Sequence, residues 1–197
     1  MMLGENVNSK VVLDHIPENS IGLELGVWKG KTSKLFNNLT KELHLVDSWS
    51  PIPYRTTSEW ESYEIYLERY SSLTGSKDEE SFFKYYDEVY EQVRNDFKDD
   101  ASVIIHRMTT EDFFVHANKN NIKVDWAYID ASHDYQECYR DLMNCLEIVN
   151  DNGIIFGDDY HDRCKGVIKA VNEFVNNYNK KLQLLNSNQY KIYIGDN

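Results

Sequence analysis

Cysteine, proline and positive charge are all scarce in this 197-residue chain. The three cysteines, Cys138, Cys145 and Cys164, are odd in number and lack the paired spacing of a zinc site. They fit a reduced compartment and read as small buried hydrophobes, since none sits beside a plausible base in a turn motif. Lysine and arginine total 21 against 33 acidic residues, a net charge of -12 that no basic run offsets locally. Such a chain repels a phosphate backbone, so nucleic acid is excluded as the expected partner. There is no stretch of about 18 consecutive apolar residues. Nor does the N-terminus carry the apolar run and cleavage pattern of a signal peptide. No membrane partner and a cytoplasmic location are therefore expected.

Aromatic residues, by contrast, are plentiful: at 13% of the chain they are too many for a disordered protein and enough for a packed core. The length suits a single domain, 1–197. After a helical lead-in from Lys10 to His15, broken by Pro17, apolar runs at Ile21–Leu25, Leu43–Val46, Val103–Ile105, Trp126–Ile129 and Ile154–Phe156 predict five buried parallel strands. Helices are predicted from Lys31 to Asn38, and from the apolar spacing of Tyr135 to Val149 and of Val167 to Tyr178. Asn152 and Gly153 read as a turn, and Leu182–Leu185 with Tyr190–Ile194 as a terminal hairpin around Asn186 to Asn188. The pattern is α/β, a seven-stranded mostly parallel sheet with a C-terminal antiparallel hairpin. Between about residues 48 and 100 lies an aromatic-rich insert that includes Trp60. Phe82, Tyr86, Val89, Val93 and Phe97 mark one helix in it that packs on the sheet. The stretch from Ser48 to Leu73 is less regular and is read as a lid or substrate wall.

In open α/β sheets ligands bind beyond the carboxyl ends of the strands. The first strand runs out through Glu24, Gly26, Trp28, Gly30 and Thr32, a glycine-bearing turn before a helix. Its spacing lacks the G-x-G-x-x-G arrangement, and Glu24 would set an anion beside a pyrophosphate, which argues against NAD. An acidic residue there suits the cationic amino-acid end of S-adenosylmethionine, and Asp47, closing the second strand, can accept both ribose hydroxyls. Alone, such a turn also occurs for structural reasons; its co-occurrence with Asp47 and further strand-end acids gives it functional weight. Those acids are Asp130 after the fourth strand and Asp158 with Asp159 after the fifth. Like charges converging on one rim call for a cation, and hard oxygen ligands suit Mg²⁺ or another divalent ion. Helix capping is the alternative role for each of them. His133 is a candidate proton acceptor, with Asp130 able to share the task.

Leu23 to Thr32 resembles the first motif of class I S-adenosylmethionine-dependent methyltransferases, and the catechol and caffeoyl-CoA O-methyltransferases in particular. The resemblance implies a Rossmann-like class I methyltransferase fold. It places Glu24, Gly26, Trp28, Gly30 and Thr32 along the methionine portion, Asp47 on the ribose, and Thr109 with Thr110 at the adenine edge. It also assigns Asp130, Asp158 and Asp159 to the metal. Where those enzymes place a lysine base three positions after the first aspartate, this chain has His133. Asp130, His133 and Tyr135, with the segments Gly153–Tyr160 and Gly166–Phe174, further resemble the macrocin and sugar O-methyltransferases and the cephalosporin hydroxylase-like group.

The expected activity is thus divalent-metal-assisted O-methylation of a small-molecule or saccharide hydroxyl. Two alternatives stay open: a metal-independent methyltransferase on another acceptor, and an inactive binding protein that keeps the cofactor fold. Assembly into a homo-oligomer is left open as well.

Overall fold

A computed structural model describes residues 10–57, 62–186 and 188–195. Trp60 of the aromatic insert and Ser187 of the terminal hairpin lie outside them, as do the first nine residues. Seven strands form one sheet in the order β3-β2-β1-β4-β5-β7-β6. They are β1 (Ser20–Leu25), β2 (Thr40–Asp47), β3 (Val103–Arg107), β4 (Val124–Ile129), β5 (Val149–Gly157), β6 (Lys181–Leu184) and β7 (Tyr190–Tyr193). The first five pair in parallel, and β7 runs antiparallel to both β5 and β6. The chain order reverses at β1, which lies between β2 and β4.

Alternation along the strands builds two cores. On one face Leu23, Leu25, Ala127, Ile129 and Ile155 meet α5 (Thr110–Asn120), α6 (Tyr135–Ile148) and α7 (Lys165–Asn177). On the other, Leu43, Leu45, Trp126, Tyr128 and Phe156 meet α1 (Lys10–Leu13), α2 (Lys31–Asn37) and α4 (Glu79–Phe97). A parallel sheet covered on both sides must be apolar on both, which is why its strands read as continuous runs. No helix among the described residues is long and apolar enough to cross a membrane.

Three elements differ from the sequence reading. Asn152 and Gly153 make no turn: Val149 leaves α6 in extended conformation (φ -75, ψ 132), and β5 begins there. A register shift against β4 between Val124 and Trp126 absorbs the extra residues. Helix α5 was not expected; Thr109 caps it by accepting from the Asp112 amide, and it buries only Phe113, Phe114 and Ala117. Within the insert, the irregular stretch holds a 3-10 turn (Ile52–Arg55) and a regular helix, α3 (Tyr63–Thr74), whose buried residue is Tyr66. Tyr66 is 1% exposed and collects Tyr54, Tyr63, Tyr70 and Phe82 around it. That cluster gives α3 the core its weak amphipathicity does not advertise.

Away from the strand ends, His44 on β2 and His106 on β3 are buried with Nδ1 and Nε2 3.0 Å apart. Burial pushes His106 down to about 4, helped by His44 and His116, and burial lowers His44 as well. The folded protein thus holds both rings neutral, while the unfolded chain protonates them near the ordinary value of about 6.5. Stability is therefore lost as pH falls from about 6.5 to about 4 and is fully present above that window. Thermal melts across this range are expected to drop by several degrees, with a shallower fall for His106→Phe. An identical profile in the variant would remove the histidine pair as the cause.

Candidate active site

The parallel register sets the ends of β1, β2, β4 and β5 level, with Leu25 opposite both Val46 and Ile129, and Ile129 opposite Gly157. Three backbone bonds carry the ladder one rung further: Gly26 N–H to the Val46 carbonyl at 2.9 Å, Asp130 N–H to Leu25 at 2.8 Å, and Asp158 N–H to Ile129 at 3.1 Å. These rungs put the nominated residues on one rim. Gly26 takes φ +87, and a β-carbon on it would lie 2.0 Å from the Asp130 carbonyl oxygen. Only glycine can make this approach. Gly30, at φ 68, then opens α2, with Thr32 buried in its first turn. The result is backbone bared beside a helix N-terminus.

Asp47 holds the turn. One carboxylate oxygen accepts the amides of Val27 at 3.0 Å and Trp28 at 2.9 Å, and the other accepts the Trp49 amide at 2.7 Å. Burial raises its pKa, partly offset by those three amides and by Arg107. The Trp49 indole closes the loop by donating to the Trp28 carbonyl at 2.8 Å. Both tryptophans have positive φ, 47 for Trp28 and 41 for Trp49, a strained conformation that bulky residues rarely adopt outside functional sites. The Trp28 indole in turn donates to Tyr85 Oη on α4 at 3.0 Å, which ties the aromatic insert to the turn.

Glu24 points from β1 beneath this turn. It is 1% exposed, and its Oε2 lacks a hydrogen-bond partner. Burial, then the charges of Asp130 and Asp47, hold its carboxyl well above the usual range, with Ser33 as a partial counterweight. An orphaned acid under a bare backbone turn is the setting that a positively charged ligand relieves.

The acids of β4 and β5 behave differently from one another. Asp130 is raised well above the usual range by burial and by the charges of Asp158 and Asp159, His133 offsetting part. Asp158 is raised by burial; its Oδ2 accepts from Tyr128 Oη at 3.3 Å, which itself accepts from Gln189 at 3.0 Å. Asp159, at φ 60, turns to the histidines: Oδ2 lies 2.7 Å from His133 Nε2 and Oδ1 lies 3.0 Å from His161 Nε2. Burial would raise Asp159, but the two histidines outweigh it and hold the carboxyl low.

The structure therefore brings Glu24, Gly26, Asp47, Asp130, His133, Asp158 and Asp159 to the rim. It does not gather Asp130, Asp158 and Asp159 as one set of donors at mutual ligand spacing. Thr109 serves as a helix cap, and Thr110 turns its hydroxyl to the buried Asp141 of α6, so neither is directed at the rim. Tyr128, Gln189 and His161 support the acids without having been nominated. Cys164 also departs from expectation: Cys138 and Cys145 are buried, but Cys164 is partly exposed and stands 3.9 Å from His161 Nε2. The spacing Asp159-x-His161-x-x-Cys164 was the available signal.

Residues 23–160, from within β1 to just past the end of β5, match the family model of a methyltransferase domain. The chain belongs to this methyltransferase family. The methyltransferase takes S-adenosylmethionine as its methyl donor. Solved structures of similar fold include the O-methyltransferase NovP, with 18% identity, a TM-score of 0.61, and coverage of 95% of this chain and 76% of that one. An O-methyltransferase described as putative, from Klebsiella pneumoniae, has 11% identity, a TM-score of 0.62 and coverages of 98% and 82%. A methyltransferase described as putative, from Streptococcus mutans and in complex with SAH, has 14% identity, a TM-score of 0.58 and coverages of 98% and 99%. No curated protein matches the sequence significantly.

Replacing Gly26 with alanine is expected to abolish S-adenosylhomocysteine binding and to cost about 1–3 kcal/mol of stability from the positive φ alone. Asp47→Ala should weaken that binding at least tenfold while the sheet stays folded. Calorimetric titration with circular dichroism checks both; unchanged affinity in either variant would dissociate the turn from the cofactor.

Proposed function

We propose that this methyltransferase acts as one domain and transfers the methyl group to a hydroxyl oxygen of a small molecule or saccharide, assisted by a divalent cation at the ends of β4 and β5. The observation that carries the reading is the pair of carboxyls, Asp130 and Asp158, on adjacent rungs, where burial raises both and the charge of Asp158 raises Asp130 further. Two such groups side by side are stable as anions only when a cation or a proton is shared with them. Asp130 and Asp158 are the proposed oxygen donors for that ion; Asp159, the third acid nominated from the sequence, is engaged by His133 and His161 instead. When bound, it lowers the pKa of an acceptor hydroxyl.

Of the two nominated proton acceptors, Asp130 is the one whose basicity is raised, by burial and by the charges of Asp158 and Asp159. His133 already engages Asp159 through Nε2. Asp158, steadied by Tyr128 and Gln189, orients the acceptor side of the rim. A hydroxylated acceptor is supported by the aromatic insert, whose Tyr85 accepts from the partly exposed Trp28 indole of the turn, and by the likeness in fold to structures described as O-methyltransferases.

Thermal unfolding tests donor and metal together. S-adenosylhomocysteine at about 100 times its dissociation constant adds roughly 2.7 kcal/mol, several degrees in midpoint for a domain of this size. Turnover on hydroxylated acceptors is expected to fall at least tenfold with chelator, and at least tenfold in Asp158→Ala. Full turnover under both conditions would instead favour a metal-independent enzyme, and donor binding without turnover on any acceptor an inactive one.

A further inference from the structure

Asp159 directs neither oxygen at its acidic neighbours. Its Oδ2 meets His133 at 2.7 Å, and the surrounding turn adds a sulfur. Among the described residues, His133, Asp159 and Cys164 each offer one donor atom, and these atoms all lie within 4.8 Å of one another. Donors around a tetrahedral zinc stand roughly 3.3–3.8 Å apart, as its bond lengths dictate. The gathering is built by the backbone. Asp159 sits at φ 60, the His161 amide donates to the Asp159 carbonyl at 2.8 Å, and the Cys164 amide donates to the His161 carbonyl at 2.8 Å. His133 arrives from the β4 end because Gly166 admits it: a β-carbon there would lie 2.3 Å from the His133 carbonyl oxygen.

We infer that His133, Asp159 and Cys164 form a site for a borderline transition-metal ion of the zinc class, with His161 as its positioning residue. The site takes its catalytic meaning from the metal-assisted reading above, on which it rests, and its existence from these side chains. A donor set of nitrogen, oxygen and sulfur selects such an ion over Mg²⁺, which demands oxygens. Three protein ligands leave a fourth position for water or an acceptor oxygen, and all three residues are partly open to solvent. His161 Nδ1 accepts from the Arg163 amide at 3.2 Å, so its proton sits on Nε2 and is donated to Asp159 Oδ1 at 3.0 Å. That is the outer-sphere bond that orients a metal-ligating carboxylate. On binding, Cys164 releases its thiol proton to solvent, and the Nε2 proton by which His133 bonds Asp159 in the metal-free site is likewise released to solvent, the ring keeping or taking up its proton at Nδ1, so that Nε2 is left to the metal.

Cobalt(II) is the probe, because a thiolate bound to it gives a charge-transfer band in the near ultraviolet. Cys138 and Cys145 are buried, with thiols pushed up, so the band reports on Cys164. The full chain is expected to show the band saturating at one equivalent, Cys164→Ser to lack it, and His161→Gln to bind about 10- to 100-fold more weakly. Excess Mg²⁺ should leave the band intact. As a second measurement on the unaltered chain, Zn²⁺ should protect Cys164 from alkylation. A missing band, a band that survives in Cys164→Ser, or displacement by Mg²⁺ would overturn the site. Chelator-sensitive methyl transfer without the band would also overturn it while sparing the metal-assisted reading. The band together with chelator-insensitive transfer would uphold the site and defeat that reading.

Discussion

The contact between Gly26 and the Asp130 carbonyl is the constraint on which the rim depends. It draws the ends of β1 and β4 together at the point where the chain order reverses, leaving no room for even one methyl group. Because β2 and β5 pair outward from these two strands, their terminal residues inherit the same level. Asp47 can then reach back across the gap and grip the turn through the amides of Val27 and Trp28, while its other oxygen holds the Trp49 amide. Without the close approach, the acids would stand at unrelated heights, and the turn would lose the surface on which it is folded.

Four carboxylates, those of Glu24, Asp47, Asp130 and Asp158, are thereby concentrated and all raised in pKa, with burial as the leading cause for each. A rim of this kind stores electrostatic free energy in the empty fold and releases it when positive charge arrives. On the proposed placement of the donor's amino-acid end beside Glu24, part of its affinity would come from relief of repulsion already present. Asp159 is the exception, because two histidines neutralise it locally. The rim therefore divides into an acidic part under the turn and a mixed-donor part at the start of α7.

The strands were legible as apolar runs because both faces of the sheet are covered, and α6 and α7 because their buried residues recur at helical spacing. Helix α5 hid because three buried residues among polar neighbours make little signal, and α3 because it buries chiefly Tyr66. Of the site, the residue types at strand ends were readable, since topology alone brings them together. What Asp47 and Asp159 grip was not. Asp47 works through amides of Trp28 and Trp49 held at positive φ, and Asp159 itself sits there, a conformation that tertiary closure imposes and local sequence does not encode.

The aromatic insert has its own centre of packing around Tyr66, with Tyr66 and Tyr86 joined by a hydroxyl bond of 2.7 Å. The indole of Trp28 bonds it to the turn between Gly26 and Gly30 through Tyr85. Its α3 portion can therefore drift in sequence with modest effect on the strand ends that hold the donor. With the acceptor proposed to meet the insert and the donor the turn, acceptor choice and donor grip would become separately evolvable. Such a division lets one sheet and one turn serve many acceptors across a lineage, with novelty confined to a stretch of chain that can change while the parts common to all of them stay in place.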